Sequence, residues 1–203
     1  TRLGIEFATR QRGLFPDGVH FVPLASVNSA GSIVPAIADA FAFSFSGPSD
    51  PKEQLFDHLS HTIHNSALLV LDNLEHLLAQ SPAAADLVAE ILQRIPTVRI
   101  LCTSRERLNL QGEWTFDLRG LIIPPPDAAD DIEQFSAAAM FVQAARRTSA
   151  RFQLSEADRP HLFRICRLLE GIPLALELAA AWVGVLSCEE IAREIESNID
   201  FLT

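Results

Sequence analysis

Basic residues are scarce: 16 lysines and arginines stand against 26 aspartates and glutamates, a formal net charge of −10. Gripping the phosphates of nucleic acid or anionic lipid takes clustered Lys and Arg, so no direct nucleic-acid binding by this segment is expected. Cysteine is scarce too. Cys102, Cys166 and Cys188 stand apart, with neither the spacing of a zinc site nor the density of a disulfide scaffold, and read as small core residues in a reducing compartment. A cytoplasmic location is the default this implies. Long apolar runs are missing: the richest segment, 173–186, is interrupted by Glu177 and falls short of the roughly 20 residues that span a bilayer. It reads as a buried helix, and no membrane partner is expected. Thr1-Arg-Leu-Gly-Ile-Glu-Phe7 lacks the apolar core of a secretion signal. Internal repeats and low-complexity tracts are absent, the alanine-rich 128–139 apart. The chain opens without methionine and already in helical periodicity, and is expected to be a piece of a longer protein.

What is present is core-forming material: 48% of the residues are hydrophobic, ample for one or two domains. The organising stretch is Ser66-Ala-Leu-Leu-Val-Leu-Asp-Asn-Leu-Glu-His76. Its aliphatic run, Leu68 to Leu71, is too short for a confident helix and too unbroken for a strand with one wet face. It suits a central parallel strand covered by helices on both faces, with ligands bound at the carboxyl ends. Asp72 would stand at such an end. Two readings lie side by side there. A carboxylate can hold magnesium, directly or through water, or it can cap a helix beginning near Leu74.

A short amphipathic helix is expected at the start, ending near Gly13 and Pro16, followed by a strand at 19–25 in which Pro23 marks an end or an edge. Helical spacing runs over 29–43. Asp50-Pro-Lys-Glu53 is a helix start, with Asp50 as cap, Pro51 in the first turn and Glu53 at the positive end of the dipole. Ser81-Pro82 opens another helix, striped by Leu87, Val88, Ile91, Leu92 and Ile95, with Glu90 and Arg94 paired at i,i+4. Val98 to Thr103 is a second buried-strand pattern, delivering Ser104-Arg105-Glu106-Arg107 to its carboxyl end. Trp114-Thr-Phe-Asp-Leu118 alternates and reads as a further strand. This alternation of strand and helix predicts an α/β domain with a mostly parallel sheet over 1–123. Pro124-Pro-Pro-Asp127 reads as a linker. A helical bundle is expected over 127–203, with helices at 132–147, 156–169, 173–186 and 189–197. The last starts with a capping box, Ser187 to Glu190.

Asp72-Asn73 and Ser104-Arg105 therefore share one sheet edge. A carboxylate for magnesium and a cation for a terminal phosphate are what phosphoryl transfer asks of a protein; the plain alternative makes Arg105 a solvated residue or a partner of Glu106. His58, His61 and His64 recur every three residues and read as an exposed helix face rather than a metal site, and His76 likewise suggests no special role. Trp114 and Trp182 read as packing residues of the core or of the junction between domains.

Taken in order, Thr1-Arg-Leu-Gly-Ile-Glu-Phe-Ala8, Phe15-Pro-Asp-Gly-Val-His-Phe-Val-Pro-Leu24, Leu68-Leu-Val-Leu-Asp-Asn-Leu-Glu-His76, Thr103-Ser-Arg-Glu-Arg107, Gly112-Glu-Trp114 and Gly171-Ile-Pro-Leu-Ala-Leu-Glu-Leu-Ala179 resemble the NB-ARC-like P-loop ATPases of the STAND class, as found in large bacterial transcriptional regulators. The resemblance implies an ATP-driven switch requiring Mg2+. Leu68 to Asp72 resembles the Walker B strand, with Asp72 and Thr1 on magnesium. Arg105 resembles the first sensor arginine near the terminal phosphate, and Gly171-Ile172-Pro173-Leu174 the helical-domain motif whose proline packs on adenine. Thr1, Arg2, Asp72, Arg105 and Pro173 are the implied nucleotide contacts, and Asp72, Asn73 and Arg105 the implied catalytic set. ATP or ADP would bind between the domains. The implied partners are nucleotide, other domains of the same chain and further proteins, with a nucleotide-dependent oligomer as one form of the switch.

Two departures from the family pattern matter. The phosphate loop, G-x-x-x-x-G-K-[ST], has only Thr1 as a candidate remnant, its glycines, lysine and feeding strand being expected upstream, so this segment by itself should neither hold ATP tightly nor hydrolyse it. The position after the magnesium aspartate is Asn73, which cannot accept a proton, rather than an acid. Glu75 is a candidate substitute, read more simply as a solvated helix residue. A scaffold that holds ADP or no nucleotide is the alternative function, and an ordinary metabolic P-loop enzyme a third.

Overall fold

β1 (Val19–Pro23), β2 (Ala67–Asp72) and β3 (Val98–Thr103) form where the apolar runs lie. In the computed structural model, which describes residues 1–125 and 134–198, they pair in parallel in the order β1-β2-β3. Val22 aligns with Leu71 and Asp72 with Thr103. Every residue of β2 is buried. The cause is coverage of both faces: Ala67, Leu69 and Leu71 enter a core shared with α2 (Ile33–Ala40), α3 (Pro51–Thr62) and α5 (Ala83–Arg94), while Leu68 and Val70 turn the other way, against Ala8 of α1 (Arg2–Gln11). Each fully buried leucine contributes about 1.5–3 kcal/mol by leaving water.

Local signals act as their chemistry dictates. The Asp50 carboxylate accepts a hydrogen bond from the Lys52 amide at 2.8 Å and starts α3 behind Pro51. Arg94 pairs with Glu90 at 3.3 Å along α5, and also grips Glu53 of α3 at 2.8 Å. Pro23, which has no amide hydrogen to give, is the last residue of an outer strand. The helical spacing of 29–43 resolves into a 3-10 turn, Ala30–Ser32, followed by α2.

The chain divides into two compact units, Thr1–Thr115 and Phe116–Thr203. In the second, α6 (Ser136–Thr148), α7 (Arg159–Leu168), α8 (Pro173–Ala180) and α9 (Cys188–Ser197) share one core around Phe141, Leu162, Leu176 and Ile191. α9 opens with the expected capping box between Ser187 and Glu190. α8 is shorter than its apolar pattern: a 3-10 segment, Ala181–Gly184, follows it. The linker residues Pro126 and Asp127, and the expected helix start at Ile132, lie outside the described residues.

One expectation is overturned. Residues 114–118 form no strand, and Trp114 and Phe116 are 97% and 86% exposed. Alternation gives a segment two faces, but a strand exists only when neighbours take its amide and carbonyl groups, and no described residue does so here. Trp114 is accordingly not a core residue. Trp182 is 39% exposed, in the 3-10 segment after α8.

Candidate functional site at the carboxyl edge of the sheet

The parity of β2 decides where Asp72 goes. Leu68 and Val70 face α1, so Asp72, two residues on, faces the amino-terminal end of that helix. There the Thr1 hydroxyl donates to one carboxylate oxygen and the Thr103 hydroxyl, from the facing register position on β3, to the other, both at 2.6 Å. Thr1 is the residue preceding α1, yet its hydroxyl caps no amide of its own helix. α1 lies close against this edge: a Cβ on Gly4 would meet the Thr103 methyl at 3.2 Å.

Asp72 is the one buried charged or polar side chain among the described residues. Burial pushes its carboxyl up while the hydrogen bonds from the Thr1 and Thr103 hydroxyls pull it down, and the balance lies below the usual value. The site thus keeps an ionised carboxylate in a half-dry place. The helix-cap reading fails, because α4 (Glu75–Leu78) has no side-chain cap and the hydrogen bonds Asp72 accepts come from the Thr1 and Thr103 hydroxyls.

The turn after β2 is tightly held. Asn73 has φ +69, in the left-handed region that asparagine tolerates better than most residues. Its amide donates to both the carbonyl and the hydroxyl of Thr103, at 3.1 and 3.0 Å, and the Leu74 amide donates to the same carbonyl. His76 is half-buried, its Nε2 2.7 Å from the Val27 carbonyl and its Nδ1 3.4 Å from the side-chain Nδ2 of Asn73. Glu75 forms an ion pair with Arg105 at 3.5 Å, and the Arg105 side chain is 90% exposed.

Thr1, Asp72, Asn73, Glu75 and Arg105 are therefore gathered on one edge of the first unit. Arg2 occupies the exposed first turn of α1, and Pro173 the exposed first turn of α8 in the second unit. Arg105 pairs with Glu75 rather than with Glu106. His58 stacks on Phe43 at 4.3 Å, His61 bonds the Asp57 carbonyl, and His64 lies beyond the end of α3. Two residues that sequence reasoning passed over matter here. Thr103 is the hub joining Asp72 to Asn73, and a hydroxyl closing an apolar strand was the available signal. His76, with both ring nitrogens engaged, carried none.

A carboxylate flanked by hydroxyls is a donor set for a hard cation such as magnesium, which tolerates few protein ligands and keeps waters or phosphates for the rest. Among the described residues no group of three or more His, Cys, Asp or Glu could hold a metal by itself. Asp72 and Thr1 are the residues that would reach an ion at this edge.

No family model matches the chain. The chain is similar to proteins of Mycobacterium bovis and Mycobacterium tuberculosis that carry the provisional name of HTH-type transcriptional regulator, 36% identical over 197 residues. It is also similar to an uncharacterized protein of Mycobacterium tuberculosis, 32% identical over 192 residues. The matches take in 97% and 94% of this chain but only 20% of the regulators and 44% of the uncharacterized protein, so the chain spans about a fifth of the length of the regulators it matches.

Proposed function

We propose that this chain is a nucleotide-responsive module of a larger transcriptional regulator, an ATP-binding switch of the NB-ARC-like STAND type. The observation that carries the reading is the buried Asp72 carboxylate, accepting from two hydroxyls where parallel strands end. Ligands of open α/β sheets bind at such ends. The regulatory half of the reading comes from the names of the relatives.

In this reading Asp72 and Thr1 hold magnesium, Arg105 meets the terminal phosphate and Pro173 the base. Bound ATP would bring the negative charge of the transferring oxygens, which magnesium would partly neutralise and Arg105 would meet at the terminal phosphate. The exposure of Arg105 and its long pairing with Glu75 leave it able to change partner when a stronger anion arrives. A loop that reorders around a terminal phosphate is a known device for converting nucleotide state into domain state.

The test is nucleotide binding and turnover by the full-length protein. Wild type should bind ATP in a magnesium-dependent way. Asp72→Ala should lose that dependence, and Arg105→Ala should bind while turning over at least about tenfold more slowly. Failure of the wild type to bind ATP or ADP overturns the reading. Asn73, which cannot take a proton, favours a second reading as a nucleotide-holding scaffold; binding without turnover, indifferent to Arg105→Ala, would select it.

A further inference from the structure

We infer that His76 is a positioning residue that fixes which end of the Asn73 side-chain amide is left to meet a water beside Asp72. The inference rests on the proposed nucleotide site and adds a residue that the resemblance does not assign.

The argument begins with tautomer chemistry. The Val27 carbonyl can only accept, and it lies 2.7 Å from His76 Nε2, so Nε2 carries the ring proton. Nδ1 is then an acceptor, and the group facing it at 3.4 Å must be the NH2 end of Asn73. The reverse orientation would set two acceptors against each other. The Asn73 carbonyl oxygen is thereby the end left over, and no described residue donates to it.

Asn73 has little other freedom. Its backbone is in the left-handed region and its amide is shared between the two oxygens of Thr103. What remains is rotation of the side chain, and His76 is the group that arrests it. The ring is anchored in turn. Val27 donates its amide to the Leu24 carbonyl, and Leu24 donates to the Asp72 carbonyl, both at 2.9 Å. The loops after β1 and β2 therefore close a circuit through Asp72, Leu24, Val27, His76 and Asn73.

An amide oxygen held in this way can accept a hydrogen bond from water and aim it without removing its proton, the part a glutamine plays in some nucleotide hydrolases. That answers the lack of an acid after Asp72.

Two substitutions separate the two ring contacts. In His76→Asn the side-chain oxygen stands near the place of Nδ1 and keeps an acceptor for Asn73. In His76→Gln the side-chain nitrogen stands near the place of Nε2 and keeps the donor to Val27. Nitrogen-15 NMR of the ligand-free 203-residue chain should show His76 protonated on Nε2. The Asn73 side-chain NH2 should exchange slowly in wild type and His76→Asn, and fast in His76→Gln. A proton on Nδ1 in wild type, a measurement that needs no variant, overturns the inference. So does an Asn73 amide indifferent to His76→Gln. In the full-length protein His76→Gln should lower kcat by about tenfold or more with KM for ATP unchanged, and His76→Asn should retain most of it. Equal loss in both variants marks a purely structural role and also overturns it. A wild type without turnover counts against the proposed function, and the NMR result still decides the role of His76.

Discussion

Asp72 and Thr103 behave as one unit, and the unit has a pH signature. The folded environment holds the Asp72 carboxyl below its usual value: burial raises it, and the Thr1 and Thr103 hydroxyls that donate to it lower it. Its contribution to stability is complete above the value of an unfolded aspartate, about 3.9, and is lost as the pH falls through the lowered folded value. Asp72→Asn should therefore be less stable than wild type at neutral pH by about 1–3 kcal/mol. In urea titrations the gap should narrow below about pH 4. Thr103→Val, equal in shape, removes both the donor to Asp72 and an acceptor for Asn73, and should cost a similar amount that Thr103→Ser restores. The cysteines make the opposite case. Burial pushes the thiols of Cys102, Cys166 and Cys188 up to about 12, which removes the thiolate that reacts. Iodoacetamide at pH 8 should label the native chain slowly and the urea-unfolded chain fast. Rapid labelling of Cys166 or Cys188, both buried, would contradict the packing of the second unit.

At the scale of elements, α7 ends in a crossing of backbones. Glu170 and Gly171 both have positive φ, +50 and +66, and the Gly171 carbonyl accepts from the Leu121 amide at 2.8 Å. A Cβ on Gly171 would lie 2.3 Å from the Leu121 carbonyl oxygen, and one on Gly120 only 2.1 Å from that of Glu170. Gly171→Ala combines a left-handed backbone with a backbone clash and should destabilise the second unit by about 2 kcal/mol or more, read as a lowered urea midpoint. The glycine of the Gly171-Ile-Pro173 motif is thus explained by chain crossing alone. The same contrast between local and distant causes governs what the sequence made legible. Asp50 capping α3 and Ser187 with Glu190 boxing α9 are settled within four residues, and β2 declares itself because helices cover both its faces. Thr103 gains its role only from its register with Asp72, 31 residues away, and Gly120 only from meeting Glu170. The strand expected at 114–118 failed for the same reason, since its pattern was local and the partner it required was not.

Across the whole molecule, acidity and exposed apolar surface occur together. Trp114, Phe116, Leu118 and Ile122 stand largely exposed along one stretch, within a chain of net charge −10. No helix among the described residues is long and apolar enough to cross a membrane. The relatives named as regulators are about five times the length of the match, and an acidic segment is poorly suited to the phosphate contacts that dominate affinity for DNA. Under the proposed function the reading of DNA falls to other parts of the full-length protein, and this chain carries the nucleotide response. Electrophoretic mobility of duplex DNA should therefore be unchanged by the chain at about 0.15 M salt. Lowering the salt should produce little binding, because an excess of carboxylates repels the phosphates more strongly as screening weakens. Binding that strengthens steeply at low salt would instead place a cationic DNA contact within these residues, and the division of labour proposed for the larger protein would fall.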